Sequence, residues 1–232
     1  MLELEGLVIE QDAFRLAAPS VTVGTGRIAA LIGPSGGGKS TLLSVIAGFS
    51  PAVAGRVVWQ GAELTGTPPA DRPVAMIFQD NNLLPHLTAF ENAALGLRPS
   101  LRLTADQAAR AEAALARVGL AGLGARRPGA LSGGQQGRVA LARLILQDRP
   151  LWLLDEPFAA LGPALRREML MLVRNMGREA GATVLLVTHQ PEDAELIADE
   201  VILVAEGSVA APVATAEIMA DPPAALADYL GR

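Results

Sequence analysis

An α/β fold built on a parallel sheet is predicted by three observations. Aliphatic runs of strand length alternate with helical patterns along most of the chain, and the hydrophobic residues are almost all aliphatic. One such run also leads into a glycine-rich loop that opens a helix. Half of the 232 residues are hydrophobic but only 3% are aromatic, so the core is to be made of Leu, Val, Ile and Ala. Strands buried on both faces of a sheet read as near-continuous runs of this kind. The length suits one large domain, residues 1–232, with a mostly helical segment inserted at roughly 80–130.

In chain order, apolar stretches at residues 2–9, 14–17 and 21–23 predict short strands, followed by a turn at 24–26. Residues 27–32 form a compact aliphatic strand, and 40–47 have helical spacing after the glycine loop. Strands follow at 57–60 and 74–78, separated by a proline-rich loop at 65–73. Residues 87–122 turn helical, with a clear helix over 105–118 and a Gly/Pro break at 127–130. A helix over 132–147 leads to a buried strand at 151–154. Helices at 163–180 and 191–198 alternate with strands at 183–187 and 201–204, and the tail after residue 211 is too short for a further domain.

The formal net charge of −5 argues against nucleic acid as the main partner. The absence of cysteine removes disulfides and thiolate chemistry. Residues 1–12 lack the basic start of a signal peptide, and no apolar run is long enough to cross a bilayer, so work at a membrane requires a partner that spans it.

Gly33-Pro34-Ser35-Gly36-Gly37-Gly38-Lys39-Ser40-Thr41 fits G-x-x-x-x-G-K-[ST] between a strand and a helix. Glycines let successive N–H groups converge on phosphate oxygens, and the helix adds its positive end. Lys39 suits the β- and γ-phosphates of ATP, and the Ser40 hydroxyl suits Mg²⁺. The strand at 151–154 runs into Asp155 and Glu156, acids at a strand's carboxyl end, where α/β sheets gather ligands. Asp155 is the expected metal residue and Glu156 the residue that polarises the hydrolytic water. Ser132-Gly133-Gly134-Gln135 opens a helix; Ser132 reads as an N-cap, and two glycines and a glutamine suggest a second anion site. One domain has little use for two γ-phosphate sites, whereas two copies arranged head to tail use both.

With these residues in hand, the chain resembles the nucleotide-binding subunit of ATP-binding-cassette (ABC) transporters over essentially its whole length. The resembling motifs are the phosphate loop (Walker A), residues 151–156 (Walker B) and residues 131–135 (the signature). Gln79, after the strand at 74–78, resembles the family's glutamine that senses Mg²⁺ and the membrane partner, and His189 resembles the histidine that contacts the γ-phosphate. The resemblance implies a P-loop NTPase core with an N-terminal antiparallel β region and an inserted α-helical subdomain. It also implies a homodimer sandwiching two ATP molecules, bound to a transmembrane permease at the cytoplasmic face of a bacterial inner membrane. An extracytoplasmic solute-binding protein would act indirectly. Glu156, His189 and Gln79 would be catalytic, with Ser40, Gln79 and Asp155 at the metal.

Three positions depart from the family pattern. Gly162 stands where Asp usually follows Ala160-Leu161, Gly137 stands where Gln is usual, and no clear aromatic faces the adenine, Phe14 being the nearby candidate beside Gln11 and Asp12. Within the family the likeness is to the ATP-binding subunits of bacterial thiamine importers, carried by Thr67-Pro68-Pro69, Arg72-Pro73-Val74, and especially Phe78-Gln79-Asp80-Asn81-Asn82-Leu83 followed by His86-Leu87-Thr88. Importers of iron(III), sulfate or polyamines, a soluble ABC ATPase, and a non-hydrolysing regulator stay open as alternatives.

Overall fold

The computed structural model describes residues 1–11 and 14–230. In chain order its elements are β1 (Leu2–Gln11), β2 (Phe14–Val23), β3 (Ile28–Ile32), α1 (Lys39–Ala47), β4 (Ala54–Trp59), β5 (Ala62–Glu63), β6 (Val74–Ile77), α2 (Ala89–Ala94), α3 (Ala105–Arg117) and α4 (Gly133–Leu146). There follow β7 (Leu151–Asp155), α5 (Pro163–Glu179), β8 (Thr183–Val187), α6 (Pro191–Ile197), β9 (Glu200–Ala205), β10 (Ser208–Val209), β11 (Val213–Ala214), α7 (Thr215–Ala220) and α8 (Ala224–Leu230).

The strands form one mixed sheet in the order β5-β4-β1-β2-β10-β9-β3-β8-β7-β6, with β11 on β9. Strands β9, β3, β8, β7 and β6 are parallel, while β1, β2, β4 and β5 pair antiparallel. This is the expected α/β core with an antiparallel N-terminal region. Alternation decides which face each residue joins. Leu151 and Leu153 of β7 pack with α1 and the N-terminal strands, whereas Trp152 and Leu154 pack with α4 and α5. Between β6 and β7 the described residues contribute three helices and no strand, and α4 packs against both α2 and α3.

A local expectation differs from the structure. Residues 14–17 and 21–23 belong to one strand, β2, although Pro19 lies inside it. Its register with β1 steps over Gly6 and Pro19, and β10 meets β2 only at Ala17, so the missing proline N–H breaks no ladder bond. The tail folds into β11, α7 and α8, where Ile218 and Leu226 are buried against Ile32, Ala194 and Val201.

The helix carrying the phosphate loop is fixed at its far end by a buried arginine. The Arg72 guanidinium donates to the carbonyls of Val45 and Ile46, at 2.8 and 2.7 Å, and to that of Thr67 at 2.8 Å. Cations suit a helix C-terminus, where carbonyls lack partners. Burial holds this guanidinium below its ordinary pKa.

Candidate functional site

The carboxyl ends of the parallel strands meet at one edge. β3 leads into Gly33, β6 toward Gln79, β7 ends at Asp155 beside Glu156, and β8 is followed by Thr188 and His189. A cavity of about 790 Å³ lies there, lined by Ser35, Gly36, Gly38, Lys39, Ser40 and Thr41 together with Gln79, Glu156 and His189. Gln11 and Phe14 complete the wall. Five sequence-distant segments are thus brought to one hollow. Phe14 is half-buried, and a Cβ on Gly38 would sit 2.5 Å from its ring, so the aromatic packs directly on the loop. Asp12, the other residue weighed beside it, lies outside the described residues.

The loop geometry follows from its glycines. Gly33 has φ +154°, and a Cβ there would lie 1.9 Å from the carbonyl oxygen of Val204 on β9. Gly38, with φ +96°, is the N-cap of α1. Lys39 is buried at 4% exposure, and its ammonium donates to the Gly33 and Pro34 carbonyls, both at 2.8 Å. Ser40 Oγ donates to Asp155 Oδ1 at 2.8 Å, so Asp155 sits behind the loop rather than in the cavity wall.

Electrostatics leave this site short of charge compensation. Burial pushes the Lys39 ammonium below its ordinary value, against the pull of Glu156 and Asp155. Burial likewise pushes the Asp155 carboxyl up, against the Ser40 hydrogen bond. A raised carboxyl contributes stability only below the carboxylate range and loses it as pH rises. A lowered ammonium contributes only above its ordinary value and loses it as pH falls. At neutral pH both charged forms therefore cost stability, and an anion on Lys39 or a cation at Asp155 relieves the cost.

Glu156 has φ +47°, a strained conformation for a residue with a Cβ, while its N–H donates to the Val187 carbonyl at 3.2 Å. Its Oε1 lies 2.5 Å from His189 Nε2. The residue before that histidine is held by a buried network absent from the sequence-based site. The Arg166 guanidinium donates to Asp193 Oδ2, at 3.1 Å through Nε and by a shorter contact through its terminal nitrogen. Arg166 also donates to Thr188 Oγ1 at 3.0 Å, and Thr188 in turn donates to Asp193. An Arg at the start of a helix and an Asp two residues after Pro191 give no signal until α5 and α6 are packed. Breaking a buried pair leaves an uncompensated charge, so Asp193→Ala is expected to lose about 3–5 kcal/mol, read by chemical unfolding. Arg166→Met with Asp193→Leu is expected to recover much of that.

The segment at Ser132, Gly133, Gly134 and Gln135 is not part of this cavity. Ser132 and Gly133 are exposed. Ser132 Oγ accepts from the Gln135 N–H at 3.3 Å, and Gln135 Oε1 accepts from the Ser132 N–H at 3.0 Å, a reciprocal capping box. Capping therefore accounts for the glutamine as well as the serine. Gly134 has a packing reason, since a Cβ there would meet Leu165 Cδ2 at 2.4 Å. Gly133 is left without one, a Cβ there making ordinary contact with Leu161 at 3.4 Å.

Gly162 is the N-cap of α5, in extended conformation and with no side-chain cap. Gly137 lies inside α4, where a Cβ would stand 3.6 Å from Met169 and Phe158, ordinary contact. A helix-interior glycine with room for a methyl makes Gly137→Ala stabilising by up to about 1 kcal/mol, a rise of about 2–4 °C in Tm measured by calorimetry.

Residues 16–159 match the family model described as ABC transporter. The chain is 58% identical over 231 residues to the thiamine import ATP-binding protein ThiQ of Cereibacter sphaeroides, covering 100% of both chains. It is 53% identical to the protein of that name from a Ruegeria species, again over 100% of both. Among solved structures, a nucleotide-free ATP-binding cassette from an ABC transporter matches with TM-score 0.86 and 26% identity, covering 96% of each chain. A dimeric, post-hydrolysis cassette bound to ADP and Pi matches with TM-score 0.79 and 28% identity, covering 93% of this chain and 99% of that one. With the family model over residues 16–159, relatives above 50% identity across the whole chain and a fold shared with solved cassettes, the chain belongs to the ABC transporter family.

Proposed function

We propose that this chain binds and hydrolyses ATP to energise thiamine import through a membrane permease, working as two copies at the cytoplasmic face of a bacterial inner membrane. The observation that carries the reading is the convergence of Lys39, Ser40, Gln79, Glu156 and His189 on one hollow. The solute rests on the 58% identity to a thiamine import ATP-binding protein. No helix among the described residues is long and apolar enough to cross a membrane, so transport requires the permease. An extracytoplasmic binding protein would deliver the solute to it.

In this reading the loop from Gly33 to Thr41 cradles the phosphates, with Lys39 moving from its own loop carbonyls to phosphate oxygens. Glu156 takes a proton from the attacking water or polarises it, oriented by His189. The donor set at Ser40 and Asp155 consists of hard oxygens, and no cluster of three metal-binding side chains occurs among the described residues. That fits Mg²⁺, which typically takes one or two protein ligands and fills its shell with phosphate and water. Ser40 and Asp155 would hold it with Gln79 close by, and once bound it would neutralise charge developing on the phosphates. Exposure of Ser132 and Gly133, away from the cavity, supports their service to the ATP of a second copy. The dimeric state of the ADP- and phosphate-bound relative supports the same pairing.

Uptake of labelled thiamine by cells with and without the chain tests the solute. Uptake that depends on the chain for thiamine alone is expected; dependence for iron(III), sulfate or a polyamine instead would replace thiamine in the reading.

A further inference from the structure

A second cavity, of about 480 Å³, lies at the opposite end of the sheet from the nucleotide hollow, where β7 begins. Three parts of the chain enclose it: α3 of the helical insert, the turn from α4 into β7, and the end of α5. It shares no lining residue with the nucleotide cavity.

The floor of this cleft is apolar. Trp152 and Met176 are buried there, and the Trp152 indole N–H donates to the Arg149 carbonyl at 2.9 Å. That bond fastens the floor to the turn, in which Asp148 is left-handed with φ +52°. On the α3 side the wall is Ala113 and Ala114, side chains small enough to leave the space open.

The rim is basic, in a chain whose net charge is −5. Arg110, Arg117 and Arg149 stand against Asp148 and Glu179, so three cations face two acids and one positive charge is in excess. Glu179 takes up Arg117 at 2.7 Å, joining α5 to α3. Among the described residues the Arg110 side chain makes no ion pair or hydrogen bond. Arg149 makes no ion pair either, and its side chain reaches only the Ala70 carbonyl, at 3.3 Å. An apolar floor with a few charged groups at its edge is the usual make-up of a small-molecule site, and the volume falls within the usual range of about 300–1,000 Å³. Guanidinium groups suit carboxylates and phosphates, whose paired oxygens match their fork.

We infer that this cleft binds a small organic anion, with a carboxylate or phosphate head on Arg110 and Arg149 and an apolar body over the floor of Trp152 and Met176. The bound molecule spans the helical insert and the sheet core, and it binds independently of ATP.

The chain has two tryptophans, and Trp59 lies in β4, outside this cleft. Trp59→Phe therefore leaves Trp152 as a single fluorophore at the floor. Titration of that full chain with 4-phenylbutyrate is expected to give a saturable fluorescence change, with the uncharged 4-phenylbutyramide binding at least about tenfold more weakly. Phenyl phosphate, titrated in parallel, names the head: whichever anion binds more tightly is the one the arginines prefer. Arg110→Ala with Arg149→Ala is expected to weaken binding at least about tenfold. Ala113→Phe, which fills the cleft and leaves every charge in place, is expected to abolish it. Saturating ATP with Mg²⁺ is expected to leave the affinity within about threefold.

An unsaturating response to both anions would overturn the site, as would equal affinity for the amide or parental affinity in the double-alanine chain. Competitive displacement by ATP would also overturn it, since the anion would then occupy the nucleotide cavity. Thermal melting checks that each variant folds. If the double-alanine chain does not, the amide comparison and Ala113→Phe still decide.

Discussion

Replacing Glu156 by Gln is expected to lower ATP turnover by about 10²–10⁴-fold while ATP binding persists. The two side chains have nearly the same shape, so the left-handed turn at Glu156 and its contact with His189 can survive. What is lost is an oxygen able to take a proton or fully polarise a water. In the proposed reading, binding rests on other groups, namely the loop backbone, Lys39 and Ser40, none of which the substitution touches. Phosphate release measured beside a fluorescent-nucleotide titration separates the two effects. Equal turnover in both proteins would remove Glu156 from the mechanism.

The second large effect is structural. Gly33→Ala is expected to destabilise the chain by at least about 3 kcal/mol, a fall of roughly 6–12 °C in Tm. A Cβ there meets the Val204 carbonyl oxygen at 1.9 Å, backbone against backbone, where no rotamer gives relief. The control lies three residues away in the same loop. Gly36 has φ +75° but nothing within 4 Å of a Cβ, so Gly36→Ala carries only the conformational cost of about 1–2 kcal/mol. Thermal melting of the two variants ranks them, and equal losses would show that the close approach to β9 is not what Gly33 serves.

Much of this was legible in the sequence because local pattern and chemistry coincide there. Buried parallel strands are continuous aliphatic runs, and the segments ending at Ile32, Asp155 and Val187 could be read directly. The phosphate loop and the acid pair carry residue types with few structural excuses. Gln79 and His189 were legible only through resemblance, since a lone polar residue after a strand says little by itself. Other features depend on pairings between distant segments. Residues 14–17 and 21–23 read as two strands because the register that joins them belongs to β1. The network of Arg166, Thr188 and Asp193 exists only when α5 and α6 pack together.

The residues that suggested thiamine importers also gain physical reasons. The Thr67 carbonyl and Arg72 fasten α1, Thr88 caps α2 in a box with Glu91, and Asn81-Asn82 supply the backbone that Arg143 grips. None of these lines the cavity itself; they fix helix ends and a loop backbone. The signature was overread in one respect, because capping does explain Gln135. Gly133 is the residue there that capping and packing leave unexplained.

The claim at the centre of this account is that one chain holds half of each ATP site and a second copy the other half. Light scattering of the Glu156→Gln protein tests it most directly, because ATP then stays intact. With ATP and Mg²⁺ the mass should double from the 24.0 kDa of the single chain, and with ADP it should not. Gly133→Asp, which sets a carboxylate where the partner's phosphate would come, should abolish the doubling and leave ATP binding unchanged. A mass that stays at one chain with ATP bound, or a doubling that Gly133→Asp does not disturb, would contradict the shared site.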